Sequence, residues 1–234
     1  RTLESLRRHA PEGTQVVIVA DRPSPDQERA LMDSDDPTAA PIAGASPEIV
    51  WTAGQLGRAA AMNAGIRRAI GRVVVLLDTS VELTGDLLGP LVEALNDETV
   101  ALAGPWGLVS GDLRRFEPGQ PGDVDAIEGA ALAFRRSEID RRGFLDEHFR
   151  LDLNLDIWWS LVLRDGDDNE QPRRALAAAT AATRVIRHDP RVPTSDDRAS
   201  DADRDRLSRR SFYRVLDRFG ARRDLLTGNP PQSA

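Results

Sequence analysis

Aspartates at the ends of apolar runs are the side chains in this sequence best placed to do chemistry. Asp78 follows V-V-V-L-L, a short continuous apolar run that predicts a strand covered on both faces. Ligands of open α/β sheets bind beyond the carboxyl ends of the strands, so Asp78 stands where chemistry is usually done. Asp21 closes the run 16–19 in the same way, just before a proline-stiffened R-P-S-P-D loop where aspartate is also a common turn residue. Asn63 lies on one stripe with Leu56, Ala59, Ala60, Ile66 and Ile70 of a small-residue helix. A buried amide must find partners, and the mouth of a ligand site is one place to find them. Glu128-Gly129 interrupts an apolar stretch, and a glycine there marks a bulge or a close backbone approach. His188 is one of 3 histidines, and after a strand such a residue is more often structural than a ligand.

These groups need elements to position them. Residues 3–9 read as a helix ended by Pro11 and Gly13, 16–19 as a strand, and 26–32 as a helix. Residues 33–47, rich in Asp, Pro, Ala, Gly and Ser, read as a surface loop. A strand at 48–51 leads into the small-residue helix and then the strand 73–77. Thr84-Gly85-Asp86 opens a predicted helix through Leu95, with Leu87, Leu88, Leu91 and Leu95 at helical spacing. A strand at 99–103, a hairpin arm at 108–116 and a long interrupted strand at 124–134 follow. Ser137 caps a short helix. Residues 155–164 are apolar on nearly every side, which predicts a buried helix. A strand fits 183–186, and 188–203 reads as a charged, exposed excursion. Phe212, Val215, Leu216 and Phe219 then set a C-terminal helix that Gly220 ends. The alternation predicts an α/β fold with a mixed, mostly parallel central sheet flanked by helices.

Composition removes several classes of function. The 234 residues are 40% hydrophobic and 29% charged, a globular balance, and no apolar run reaches membrane-span length. A net charge of -7 argues against a broad nucleic-acid-binding surface. No lysine occurs, which excludes Schiff-base chemistry and a P-loop lysine; without cysteine there is no disulfide, thiolate ligand or thiol nucleophile. No G-x-G-x-x-G follows the strand at 16–19, against a dinucleotide-dependent oxidoreductase.

Four segments taken in order carry more. V-I-V-A-D-R-P-S, then G-R-A-A-A-M-N-A-G-I-R-R-A-I-G-R-V-V-V-L-L-D-T-S-V-E, then G-F-L-D-E-H-F and N-L-D-I-W-W-S resemble the family 2 glycosyltransferases of the GT-A fold. The resemblance covers roughly residues 1–190, and the closing L-S-R-R-S-F-Y-R-V-L-D-R-F is similar to a tail of some bacterial members. It implies a GT-A three-layer sandwich over 1–190, with 191–234 an exposed loop and helical appendage packed on the same domain. It implies a nucleotide-diphosphate sugar donor, a glycan or other hydroxyl acceptor, transfer with inversion, and a divalent Mg²⁺ or Mn²⁺. By position, Asp21 corresponds to a carboxylate that holds the nucleobase or ribose, and Asp78 to the first aspartate of the family's D-x-D. Asp156 best matches the segment supplying the catalytic base, with Asp152 next, and His188 matches a late metal ligand. Asn63 and Ser80 fall on the donor side. Glu128, Gly129 and Trp158 fall on the acceptor side, where an aromatic ring can stack on a sugar. The expected location is cytoplasmic or at the inner face of the membrane.

Two departures from the family pattern matter. Asp78-Thr79-Ser80 carries a hydroxyl where the second D-x-D carboxylate stands, with Glu82 two residues farther on. The family's opening strand, central in its sheet, has no counterpart before the helix at 3–9, so a trimmed start is expected. A domain that binds a nucleotide or scaffolds a larger protein without turnover is therefore the alternative expectation.

Overall fold

Every-other-residue alternation along the central strands sorts the apolar side chains onto two faces of one sheet. The computed structural model describes residues 1–35, 41–150, 154–166, 171–178, 185–187 and 201–228. The first elements are α1 (Thr2–His9), β1 (Val17–Ala20), α2 (Pro25–Asp35) and β2 (Glu48–Trp51). Next come α3 (Arg58–Ile66), β3 (Val73–Leu77), β4 (Val81–Leu83), α4 (Leu88–Ala94) and β5 (Val100–Gly104). A hairpin of β6 (Gly107–Ser110) and β7 (Phe116–Pro118) precedes β8 (Gly122–Val124), β9 (Ala126–Ile127) and β10 (Ala131–Arg135). The remaining elements are α5 (Ser137–Arg142), α6 (Leu155–Arg164), β11 (Arg174–Ala177), β12 (Val185–Arg187) and α7 (Asp201–Phe219), then a 3-10 turn at Arg223–Leu225.

The central sheet has five strands in the order β3-β10-β5-β11-β8. It is mixed, but parallel pairing within it is confined to β5 and β11. A second parallel pair, β1 with β2, forms its own sheet. The sheet is mixed as expected but mostly antiparallel, because β10 runs antiparallel to both β3 and β5 and β8 to β11, and residues 124–134 are not one strand. Two separate strands occupy that stretch after β8: β9 joins the β6–β7 hairpin, and β10 returns antiparallel between β3 and β5.

Val74, Leu132, Phe134 and Ala175 point to one face and meet Trp159 of α6 and Val215 and Phe219 of α7. Val73, Val75, Ala131, Ala133 and Leu176 point to the other and meet Leu6 of α1 and Leu88, Leu91 and Leu95 around α4. Helices on both faces of a sheet make the three-layer architecture. The Leu87, Leu88, Leu91, Leu95 spacing is buried as predicted, although the helix begins only at Leu88; Asp86 Oδ1 accepts from the Gly89 N–H in its first turn at 2.8 Å.

The C-terminal elements dock through buried polar bonds as well as apolar contact. Arg164, 4% exposed, donates to the main-chain oxygens of Asp125 (2.6 Å), Leu225 (2.8 Å) and Arg173 (2.9 Å). The Asp125 carboxylate accepts from the backbone of Ser110 (2.6 Å) and Thr227 (2.7 Å). Among the described residues no helix is long and apolar enough to cross a membrane.

Candidate active site

Two hydrogen bonds tie Asp78 and Asp156 to adjacent residues of the short connection between β9 and β10. The β3–β10 ladder pairs Leu77 with Ala131, and the Asp78 N–H extends it by donating to the Ala130 oxygen at 2.8 Å. One residue earlier, the Gly129 N–H donates to Asp156 Oδ2 at 3.1 Å. Asp156 sits in the first turn of α6, where the helix dipole favours a carboxylate, and its Oδ1 accepts from the Ile157 N–H at 2.8 Å. Gly129 eases this approach: a Cβ there would lie 3.1 Å from Asp156 Cβ, a tight contact. The close neighbour expected of that glycine is thus the protein's own carboxylate.

Asp21 joins the same network from the other side. Its oxygens accept from Thr52 Oγ1 (3.0 Å), the Leu56 N–H (2.9 Å) and the Gly57 N–H (3.3 Å). This fixes the loop that enters α3, whose first residue is Arg58. Gly57 has φ 92° and ψ 162°, a conformation essentially reserved for glycine, and a Cβ would meet the Arg150 oxygen at 3.1 Å. Gly57→Ala is therefore expected to cost about 1–3 kcal/mol in urea unfolding. Arg58 then reaches across to Asp78, with Nη2 2.9 Å from Oδ2. Asp21, Arg58, Asp78, Gly129 and Asp156 thus form one connected path.

The turn after β3 holds Asp78 in place. The Ser80 N–H donates to Asp78 Oδ1 at 2.8 Å, and the Val81 N–H to the Asp78 main-chain oxygen at 3.1 Å. Thr2 Oγ1 donates to the Thr79 oxygen at 2.7 Å, tying the turn to α1. Because the chain turns here, Glu82 does not share an extended strand face with Asp78; it lies in β4 opposite Ile186. Burial pushes the Asp78 carboxyl up, but the Arg58 charge and the hydrogen bonds from Ser80 and Arg58 outweigh it and leave it below the ordinary carboxylate value.

Two other carboxylates show the same balance. Burial raises Glu138 while the bidentate Arg173 bonds, both 2.7 Å, lower it further. Burial also raises Asp146, with His148 and Arg214 bringing it down. Groups with depressed native values stabilise the fold above their unfolded pKa, near ~4, and that contribution is lost as pH falls below it. The urea midpoint should therefore drop on acidification from pH 5 to 3, and Glu138→Gln should flatten that drop.

The remaining expected site residues fall elsewhere or serve the frame. Asn63 is fully buried, but its amide is occupied with the Leu145 oxygen (2.8 Å), Glu147 Oε1 (3.0 Å) and the Leu145 N–H (3.0 Å). It anchors the F-L-D-E-H-F segment to α3 and is not available to a donor. Leu56 and Ile70, placed on its stripe, lie outside α3 and are exposed. Trp158 packs between Phe149 and Phe219, with Arg214 and Arg218 over its ring, so no face is left for a sugar. Glu128 bonds to Arg187, whose guanidinium lies 5.9 Å from the Trp106 ring centroid, and it walls a cavity of about 60 Å³. That is too small for a sugar nucleotide, which binds pockets of about 300–1,000 Å³. A cavity of about 240 Å³ lined by Arg67, Arg136 and Phe144 includes none of Asp21, Asp78 and Asp156. His188 and Asp152 lie outside the described residues. Arg58 and Arg187 were not singled out in the sequence; each is an arginine whose acidic partner lies far along the chain.

Among the described residues no group of three or more His, Cys, Asp or Glu side chains is placed to hold a metal ion. Asp78 offers a single carboxylate, and Ser80 adds a hydroxyl. That donor set suits a cation whose other positions are filled by substrate phosphates and water, as with Mg²⁺.

A three-layer α/β domain with a mixed central sheet flanked by helices is the GT-A architecture. Among solved structures it is similar to GalNAc-T7 with UDP, GalNAc and Mn²⁺, at TM-score 0.68 and 14% identity, over 92% of this chain and 44% of that one. It is also similar to S. aureus TarS, at TM-score 0.51 and 13% identity, over 75% of this chain and 32% of that one. The chain thus spans less than half the length of either structure. The model of the glycosyl transferase family 2 matches residues 1–153, and the chain belongs to that family. A search of curated protein sequences finds no match.

Proposed function

We propose that this domain transfers a sugar from a nucleotide-diphosphate donor to an acceptor hydroxyl with inversion at the anomeric carbon. The observation that carries this reading is that Asp78 and Asp156 are each hydrogen-bonded to the same two-residue connection, Gly129-Ala130. One carboxylate lies at the strand end with the Arg58 guanidinium beside it; the other is held at a helix start by the Gly129 and Ile157 N–H groups, and a carboxylate is a group that can take a proton. The first belongs on the donor diphosphate and the second on the acceptor.

In this reading the acceptor oxygen attacks the anomeric carbon as its bond to the diphosphate breaks. Asp156 takes the acceptor proton, and the nucleoside diphosphate leaves from the opposite face. A single displacement of this kind inverts the anomeric centre. Arg58 faces the charge that develops on the leaving group. Asp21 acts on the donor side by holding the 52–57 loop that presents Arg58. A divalent cation, Mg²⁺ or Mn²⁺, would be held by Asp78 and the donor phosphates and would neutralise the leaving diphosphate. Glu128 and Gly129 border the acceptor side, and His188 is a further candidate ligand.

The test is hydrolysis or transfer of a panel of UDP-, GDP- and dTDP-sugars, with Mn²⁺ and with EDTA, read as nucleoside diphosphate released. Cation-dependent release from at least one donor is expected. The second reading, a domain that binds the donor without turnover, is favoured by one observation: Asp78 is engaged by Arg58. Binding of a donor with no release under any condition is its signature.

A further inference from the structure

Arg58 takes the place on Asp78 where a cation would bind. Its Nη2 is 2.9 Å from Asp78 Oδ2, and the Ser80 N–H covers Oδ1. Both side chains are only partly exposed, at 30% and 24%, so the pair is not a loose surface contact. The guanidinium is aimed by rigid backbone. The Arg58 N–H donates to the Arg150 oxygen at 2.9 Å, and Gly57 before it is tied to Asp21. Arg58 Nε is buried and has no hydrogen-bond partner among the described residues. Arginine cannot lose its charge at neutral pH, and its planar fork matches phosphate oxygens. A bare divalent ion must therefore displace a held guanidinium from the Asp78 carboxylate. A diphosphate gives that guanidinium somewhere better to go.

We propose that Arg58 enforces an order of binding: it blocks Asp78 to free metal, moves onto the diphosphate when the donor arrives, and so opens Asp78 to a cation brought with the donor. Arg58 thereby reads the diphosphate directly and keeps the site closed to metal in its absence. This rests on the donor-side reading of Asp78 given above.

Two binding measurements on the full chain test it: Mn²⁺ alone followed by electron paramagnetic resonance, and inorganic pyrophosphate in EDTA followed by calorimetry. Arg58→Gln should bind Mn²⁺ alone about tenfold or more tightly than wild type and pyrophosphate about tenfold or more weakly, the scale of a charge-assisted bond. Arg58→Lys should restore pyrophosphate binding, which separates lost charge from a misfolded helix start. Opposite movement of the two affinities is something a purely structural arginine would not produce. Equal Mn²⁺ affinity of wild type and Arg58→Gln, or unchanged pyrophosphate affinity, overturns the proposal. If neither protein binds pyrophosphate while the donor panel still shows turnover, the order-of-binding inference fails and the transferase reading stands. Absence of both overturns the two together.

Discussion

Asp156→Asn is expected to lower kcat by about 10²–10⁴-fold, the usual contribution of a positioned general base. Donor binding should stay near wild type. In the proposed division of labour Asp156 accepts from the Gly129 and Ile157 N–H groups, whereas Arg58 pairs with Asp78. Asparagine keeps the volume, so the close approach to Gly129 is undisturbed, and its amide oxygen can still accept one of those N–H groups. What it cannot do is take a proton from a hydroxyl. Steady-state release of nucleoside diphosphate, measured beside donor binding by calorimetry, checks this. Unchanged kcat would remove Asp156 from the mechanism.

Arg164→Ala should be the most destabilising single change, costing about 3–5 kcal/mol as for a broken buried ionic group. Three main-chain oxygens, from Asp125, Leu225 and Arg173, would lose their donor inside the protein. The Asp125 carboxylate, fully buried beside it, would lose its nearby positive charge. Against a typical total of ~5–15 kcal/mol, the loss is a large fraction. Urea unfolding would show a lowered midpoint. Because Arg164 holds Leu225 directly, limited proteolysis should cut first near the C-terminal turn. Arg164→Met, which preserves packing, should recover only a minor share, since the orphaned oxygens remain.

Where a signal was local, the sequence carried it. Val73–Leu77 was readable as a strand because five apolar residues in a row suit coverage on both faces, and Asp78 followed by position alone. Leu155–Arg164 was readable as a helix to its bounds because apolar residues cover nearly every side of it. Asn63 was rightly marked as buried, but its partners, Leu145 and Glu147, lie in a segment that only the tertiary fold brings near. A ligand mouth and a loop anchor look the same from one side. Trp158 failed for the same reason: a ring two residues from Asp156 in sequence points instead to Phe149 and Phe219. The interruption of 124–134 at Glu128-Gly129 was legible, but not that the hydrogen-bond partners change there, since apolar character persists on both sides. Arg58 was passed over because an arginine at a helix start reads as a solvated residue. Its partner Asp78 becomes visible only once α3 and β3 are packed side by side.

The central claim is that Asp78 acts on the donor and Asp156 on the acceptor, both set beside the Gly129-Ala130 connection. The most direct test compares Asp78→Asn and Asp156→Asn with wild type for both binding and turnover of the same nucleotide sugar. The account predicts that Asp78→Asn loses cation-assisted donor binding, whereas Asp156→Asn binds donor normally and fails to turn it over. Wild-type turnover in both variants would contradict it.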